Sequence, residues 1–239
     1  MKVASGDGHI GCDNLGLASL SLASGCTDVL SFLELGNLFT SAMTGNTALL
    51  AVAIGGGQVL AASRALTALV GFGLGVALAT AIEAAWPVPP DPRRGLSRLL
   101  LLELFFLIGC AALWSTSPDP ILGGALYAVI LLSALSMGIQ AVGARRINAS
   151  GINTIVFTSA LVRILMSATD ALARPASGSA SLASIRPHLG TFAAYGCGAL
   201  LTGTLVAQHL EALIWVPVSA VVLALGFAEL SRKLERSPR

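Results

Sequence analysis

A stripe of polar residues interrupts an apolar segment early in the chain. Ser21, Ser24, Asp28 and Ser31 follow one another at intervals of three, four and three residues, so they share one face of an α-helix. An ionised aspartate in the middle of a membrane helix costs about 2.5–3.5 kcal/mol. We therefore expect Asp28 to face the protein interior. It either binds a proton, an ion or a solute there, or only hydrogen-bonds neighbouring helices.

The same spacing recurs 112 residues later in the chain, at Ser133, Ser136 and Gln140. A polar stripe is costly in hydrocarbon, so its recurrence indicates an internal repeat. In such a repeat Gln140 occupies the place of Asp28. We expect the two side chains to face each other where their helices cross.

Two further matches keep the same order along the chain. "MTGNTALL" from Met43 aligns with "FTSALVRI" from Phe157, and "GFGLG" from Gly71 aligns with "AYGCG" from Ala194. The alternative is a chance match, because any chain rich in Ala, Leu, Gly and Ser aligns with itself somewhere.

The segment after the first helix, "LGNLFTSAMTGNTALLAVAIGGG", is too apolar for an ordinary loop and too interrupted for a regular span. We interpret it as a broken or re-entrant helix. Gly45 permits a backbone turn there, and Thr44, Asn46 and Thr47 supply donors and acceptors. The pattern predicts that these four residues lie outside regular helix and line a cavity with Asp28. A capped helix end on the outer surface is the alternative.

The matching segment of the second half, "GINTIVFTSALVRIL", carries the polar residues Asn153, Thr154 and Thr158. It also carries Arg163. This cation either pairs with a buried acid, attracts an anionic solute, or faces lipid headgroups.

Glu103 is a second acid in an apolar run, "LLLLELFFLIG". Its flanks are so hydrophobic that we expect it to be protonated or paired with an arginine such as Arg163.

The composition is typical of an integral membrane protein. Of 239 residues, 55% are hydrophobic and 11% charged, with a mean hydropathy of +0.82, whereas soluble domains carry about 25% charged residues. Apolar runs of about 20 residues, enough to cross about 30 Å of hydrocarbon, lie near 15–36, 64–86, 97–116, 121–143, 188–208 and 212–231. We predict an all-α protein with six transmembrane helices in one domain, 1–239.

Two inverted three-helix repeats, about 15–116 and 121–231, would make up this domain. Each has a broken or re-entrant segment after its first helix. An odd number of spans makes the second copy enter the membrane from the opposite side, and secondary transporters are built in this way.

The basic residues support the count of six. Thirteen of the fourteen Lys and Arg residues fall on one side of a six-span chain, with Arg64 opposite. Lys and Arg collect in cytoplasmic loops. Both termini are therefore expected in the cytoplasm.

The chain lacks a Walker loop, a cluster of metal ligands and a nucleophile motif. We expect no enzyme activity, no metal, no cofactor and no nucleic-acid partner. Two functions fit the polar interior. One is a secondary transporter or permease for a small solute, with or without proton coupling. The other is a non-transporting interaction or scaffold protein whose polar groups only hold helices in register.

The stretches "SGCTDVLSF", "GNLFTSAMTGNT" and "MGIQAVGARR" resemble the YoaK-like bacterial membrane proteins, a family of unknown function. The family pattern has Asn after the Gln and a Thr-Gly pair in the second half, where this chain has Ala141 and Thr158-Ser159. The resemblance implies six helices in a bacterial inner membrane.

The charge distribution generates a prediction about topology. Cysteines introduced at either terminus, or between Arg174 and Arg186, should not react with an impermeant thiol reagent added to intact cells, because these segments are expected in the cytoplasm. Labelling at any of the three would break the six-span topology and the inverted repeat with it.

Overall fold

The structure is a computed structural model that describes residues 6–86, 92–118, 120–147, 157–173, 178–208 and 211–236. Within these residues the chain forms eight α-helices and no strand. They are α1 (Gly6–Glu34), α2 (Met43–Gly55), α3 (Val59–Ala85), α4 (Pro92–Thr116), α5 (Gly123–Ile147), α6 (Phe157–Ala173), α7 (Gly178–Val206) and α8 (Trp215–Arg236), with a 3-10 turn at Glu211–Ile214 before α8.

Six helices of the described chain are long and apolar enough to cross a membrane. They are α1, α3, α4, α5, α7 and α8, and each overlaps one predicted span. The other two, α2 and α6, are shorter. The all-helical class and the six spans predicted from the sequence are confirmed.

The protein is organised around a ring of four helices. In this ring α1 packs on α8, α8 on α4, α4 on α5, and α5 on α1. The remaining helices lie outside it: α3 packs on α5 and carries α2, while α7 packs on α1 and carries α6. The polar stripes of α1 and α5 therefore lie in the interior of the protein.

The outer faces of the helices are apolar. Leu74 on α3, Phe105 on α4 and Leu200 on α7 are half or more exposed. Exposed side chains of this kind suit a surface that faces lipid, where hydrocarbon rather than water surrounds the protein. The interior of the ring is filled by leucine, alanine and valine, apart from the polar groups described below.

The break after the first helix lies upstream of the predicted position. Helix α1 ends at Glu34, and the chain turns through Gly36 and Asn37, whose φ angles are +98° and +60°. Gly45, predicted as the turning residue, lies in the first turn of α2. The left-handed conformation favours Gly and Asn, so the Gly-Asn pair directly after an apolar helix marks the turn.

Glycines allow the flanking helices to approach the ring at backbone contact. A Cβ added to Gly75 of α3 would overlap the Leu135 carbonyl of α5, and one added to Gly138 would overlap the Phe72 carbonyl of α3. On the other side, Gly25 of α1 and Gly198 of α7 meet carbonyls across their own crossing in the same way. Close approach replaces side-chain interdigitation at both crossings.

These crossings generate a prediction about stability. Gly138→Ala should lower the free energy of unfolding by about 1–3 kcal/mol, because the added methyl group forces α3 and α5 apart. The measurement is thermal unfolding of the purified protein in detergent. Gly73→Ala is the matched control, because a Cβ at this position meets nothing within 4 Å. The melting temperature of this variant should equal or exceed that of the wild type. Equal melting temperatures for the two variants would contradict a tight crossing.

Candidate functional site

Asp28 lies at the centre of a buried hydrogen-bond cluster. Its side chain is 1% exposed. Oδ1 accepts hydrogen bonds from the backbone N–H groups of Thr40, at 2.9 Å, and Ser41, at 2.7 Å. Oδ2 accepts from the Ser41 hydroxyl, at 2.6 Å, and the Tyr195 hydroxyl, at 2.9 Å. The acid thereby joins α1, the linker between α1 and α2 (residues 35–42), and α7.

The linker is also held from its other side. Asn46, on the buried face of α2, accepts a hydrogen bond from the Phe39 N–H through Oδ1 at 2.9 Å, and its Nδ2 donates to the Phe39 carbonyl. Non-helical backbone needs such partners at membrane depth, since no water is available there. Asp28 and Asn46 therefore bond adjacent residues of one linker.

One polar atom beside this cluster has no partner. The Thr40 hydroxyl is buried and makes no hydrogen bond within the described part of the chain. A buried, unpaired hydroxyl costs free energy that a bound polar group would recover.

Tyr195 was missed by the sequence reasoning. It falls within the "AYGCG" stretch that aligns with "GFGLG", where it stands over Phe72. A tyrosine, with its hydroxyl, at a place where the aligned stretch has a phenylalanine was the signal available. The Tyr195 carbonyl also lies against Gly25, so close packing brings the ring next to Asp28.

The polar stripes are buried as predicted, but Asp28 and Gln140 do not bond each other. Ser24, Ser31 and Gln140 are 2% exposed or less. Gln140 Nε2 donates to the Leu20 carbonyl, at 3.0 Å, and to Ser24 Oγ, at 2.8 Å. Gln140 therefore meets α1 one to two turns before Asp28. The axial register of α5 against α1 determines that Gln140 bonds Ser24 rather than Asp28.

Two threonines of the predicted cavity lie on the outside. Thr44 and Thr47 are exposed, and the Thr47 hydroxyl donates to the Met43 carbonyl of its own helix. The expectation that these residues are non-helical and line a cavity with Asp28 was wrong. In the first turn of a helix, Asn46 faces inward and its neighbours therefore face outward.

Neither Arg163 nor Glu103 belongs to the hydrogen-bond cluster of Asp28. Arg163 is exposed on α6, and Glu103 is fully buried with no hydrogen-bond partner for either oxygen among the described residues. The alternative in which Arg163 pairs with Asp28 or Glu103 is therefore wrong. Thr158 lies in α6, and Asn153 and Thr154 fall outside the described residues.

The two oxygens of Asp28 are in different chemical surroundings. Oδ1 faces two N–H groups, which can only donate. Oδ2 faces two hydroxyls, each of which can turn to accept. The carboxyl group can therefore be ionised, or can carry a proton on Oδ2, with the same set of neighbours in both forms.

Fold and site together define a class: a multi-pass helical membrane protein with a buried acid that anchors an interrupted helical segment. The chain belongs to the family described as "Protein of unknown function (DUF1275)", whose model matches residues 16–227.

The chain is also similar to the UPF0700 transmembrane protein YoaK of Bacillus subtilis (strain 168). The identity is 30% over 209 residues, which cover 84% of this chain and 88% of that protein. The family resemblance predicted from the sequence is confirmed. No solved structure matches the chain significantly.

The geometry predicts different outcomes for two substitutions of the acid. In Asp28→Asn the side-chain oxygen can face the two N–H groups and the NH2 group can face the hydroxyls, so the linker should stay in place. Asp28→Leu leaves two buried N–H groups unpaired, each costing about 1–3 kcal/mol. Amide hydrogen exchange of residues 35–42 should then be at least about tenfold faster, since 1.4 kcal/mol corresponds to a factor of ten.

Ser21→Ala is the control for this experiment. It removes a buried hydroxyl that bonds the Leu17 carbonyl of its own helix, so exchange in the linker should not change. If Asp28→Leu protected the linker as well as the wild type does, Asp28 would not be its anchor.

Proposed function

We propose that the chain is a secondary transporter for a small polar solute, with Asp28 as the acid that couples solute movement to protons. The observation that carries this proposal is the position of Asp28, whose carboxyl group bonds both the linker of the first half and Tyr195 of the second half. A change of charge at this carboxyl alters the attraction between the two halves.

Proton exchange at Asp28 acts on the Oδ2 side. When Oδ2 is protonated it donates to Ser41 or Tyr195, and when it is ionised it accepts from both. The hydroxyl that receives this bond, of Ser41 or of Tyr195, thus alternates between acceptor and donor as the acid titrates. The unpaired Thr40 hydroxyl, next to the same carboxyl, is a group that a polar solute would bind.

An inverted repeat is the architecture that fits this role. Each half has a long helix, a short helix and two long helices in that order. The helix contacts repeat as well: α1 packs on α7 and α8 as α5 packs on α3 and α4, and α2 packs on α3 as α6 packs on α7.

The tightest crossings also correspond between the halves. Gly75 aligns with Gly198 in the sequence, and both make close backbone contacts. Gly75 contacts α5 near Gly138, and Gly198 contacts α1 near Gly25. We infer that repeat one, about 15–116, and repeat two, about 121–231, are related by a two-fold axis through the four-helix ring.

We further infer that the linker and α2 form a re-entrant segment. Asp28 lies six residues before the end of α1, about 9 Å along the helix axis, so the linker must run back into the membrane to reach it. From there α2, with 13 residues, extends about 20 Å. That length is too short for the hydrocarbon layer of about 30 Å and suits a half-helix.

The family resemblance implies a bacterial inner membrane, and we infer that both termini lie in the cytoplasm. The support for this orientation is the charge distribution: Arg64 is the basic residue that lies opposite to the other thirteen. Because Arg64 reaches the turn at Gly36, the external side is the one where α1 ends.

A non-transporting scaffold is the second candidate, and one observation favours it. All four hydrogen bonds of Asp28 come from protein groups, and its side chain is 1% exposed. A polar interior built only to hold helices together requires such closure. The two functions predict different results for a variant that removes the charge and keeps the shape.

Asp28→Asn provides the test. A thermal-shift screen of the purified wild type against small polar metabolites first finds a solute that stabilises it, since 100 times the dissociation constant adds about 2.7 kcal/mol. In proteoliposomes with a pH-sensitive dye inside, that solute should drive proton movement by the wild type and none by Asp28→Asn. The variant should still insert and fold, because Asn preserves the contacts.

Ser21→Ala serves again as the control and should move protons at the wild-type rate. Proton movement by Asp28→Asn equal to that of the wild type would rule out Asp28 as the coupling acid. A protein that no metabolite stabilises, and whose vesicles stay pH-silent, is the outcome that the scaffold function predicts.

A further inference from the structure

A second group of polar atoms lies inside the four-helix ring, apart from Asp28. Glu103 is on the inner face of α4, in a stripe with Leu96, Leu100 and Leu107 at helical spacing. Its side chain is 0% exposed, and neither carboxyl oxygen has a hydrogen-bond partner among the described residues. A buried carboxylate without any donor is among the costliest groups a protein interior can hold.

Gln140 of α5 is also only partly paired. Its Nε2 donates to the Leu20 carbonyl and to Ser24, and because a carbonyl can only accept, this contact sets the orientation of the amide. The other end of the amide, Oε1, is buried and has no partner within the described chain. The unpaired atoms of Glu103 and Gln140 are therefore oxygens that need a donor.

The packing of α4 on α5 brings these two residues to the same level. Leu99 of α4 lies against Gly143 of α5, and the Cys110 thiol of α4 bonds the Val129 carbonyl of α5. The two helices are thus antiparallel, and Glu103, four residues after Leu99, lies opposite the part of α5 about one turn before Gly143. Gln140, three residues before Gly143, is in that part.

The helices around Glu103 bring no charge to this level. Residues 14–27 of α1, 123–144 of α5 and 215–228 of α8 contain no Asp, Glu, Lys, Arg or His. The titratable groups they do contain bond elsewhere: Cys26 to the Gly198 carbonyl of α7, and Tyr127 to Ser63 of α3.

Charged residues lie on either side of this level. Beyond Leu99, Glu83 of α3 and Arg98 of α4 line a small groove at the end of the two helices. In the other direction the 3-10 turn packs on α4 near Leu107, through Ile214. Asp28, one turn beyond Ser24 on α1, has its four donors in the linker and α7. None of these residues supplies the missing donor.

We propose that Glu103 and Gln140 form a second proton-binding site in the core of the ring. The ligand is a proton taken up from water: the Glu103 carboxylate binds it and becomes a neutral acid, and the new O–H group donates to Gln140 Oε1. On release the proton returns to water and the carboxylate is restored. One proton removes the buried charge and pairs the amide oxygen.

Infrared difference spectroscopy tests this site without any solute. The wild type in detergent at neutral pH should show the carbonyl stretching band of a protonated carboxyl group, and Glu103→Gln should lose that band. Gln140→Leu should shift the band to higher frequency, since the acid loses its acceptor. Transfer to D2O should shift the wild-type band downward, because a site that exchanges its proton with water takes up deuterium.

Two variants separate this site from other acids and from misfolding. Glu34→Gln, at the exposed end of α1, should leave the band intact, and Asp28→Asn should leave the component that Glu103→Gln removes. Gln at position 103 keeps the shape of Glu and can donate to Gln140, so the variant should melt at or above the wild-type temperature.

The result that overturns the proposal is equally specific. If the band is absent in the wild type, or Glu103→Gln removes no component of it, Glu103 does not hold the proton. If the band persists unshifted in D2O, the acid is sealed and binds no exchangeable proton. If the band of Gln140→Leu stays at the wild-type frequency, Gln140 is not part of the site.

Discussion

The structure depends on how backbone groups are paired where no water reaches them. A chain that leaves helical geometry within a membrane must find a partner for every freed N–H and C=O group. Here the linker of residues 35–42 leaves helical geometry, and Asp28 and Asn46 supply partners for Phe39, Thr40 and Ser41. One carboxylate and one amide thus pair the backbone of this irregular segment.

This constraint explains why α1 is central in the fold. It carries the acid, so it must be surrounded by elements that can offer donors. Both the linker and α7 lie against it, and α5 and α8 cover its other faces. Glycine at the crossing with α7 lets the backbones touch, and that contact is what brings a phenol hydroxyl within 2.9 Å of Oδ2.

The parts of this arrangement that the sequence predicts are those with a strong local signal. An aspartate in an apolar run must be buried, and the serines at helical spacing show which face is inward. The count of six spans follows from run length and charge. The Gly-Asn pair at 36–37 also carries a local signal, but the Thr-Gly-Asn at 44–46 is the more polar interruption, and it places the predicted turn one segment too late.

Other parts depend on helix register and could not be predicted from one sequence. Gln140 meets Ser24 rather than Asp28 because α5 is displaced along α1 by one to two turns, and no residue type encodes that displacement. Tyr195 approaches Asp28 only once α7 is packed on Gly25. The outward direction of Thr44 and Thr47 follows from where α2 begins, and helix starts are among the weakest sequence signals.

The distances along the chain between Asp28 and its donors have a consequence for biosynthesis. Thr40 and Ser41 lie 12 and 13 residues after the acid, whereas Tyr195 lies 167 residues after it. Three of the four hydrogen bonds thus become available as soon as the next segment leaves the ribosome, and the fourth waits until most of the protein has been made. The first helix can enter the bilayer with its acid already sheltered by its own neighbour, and closure by α7 completes the assembly late in translation.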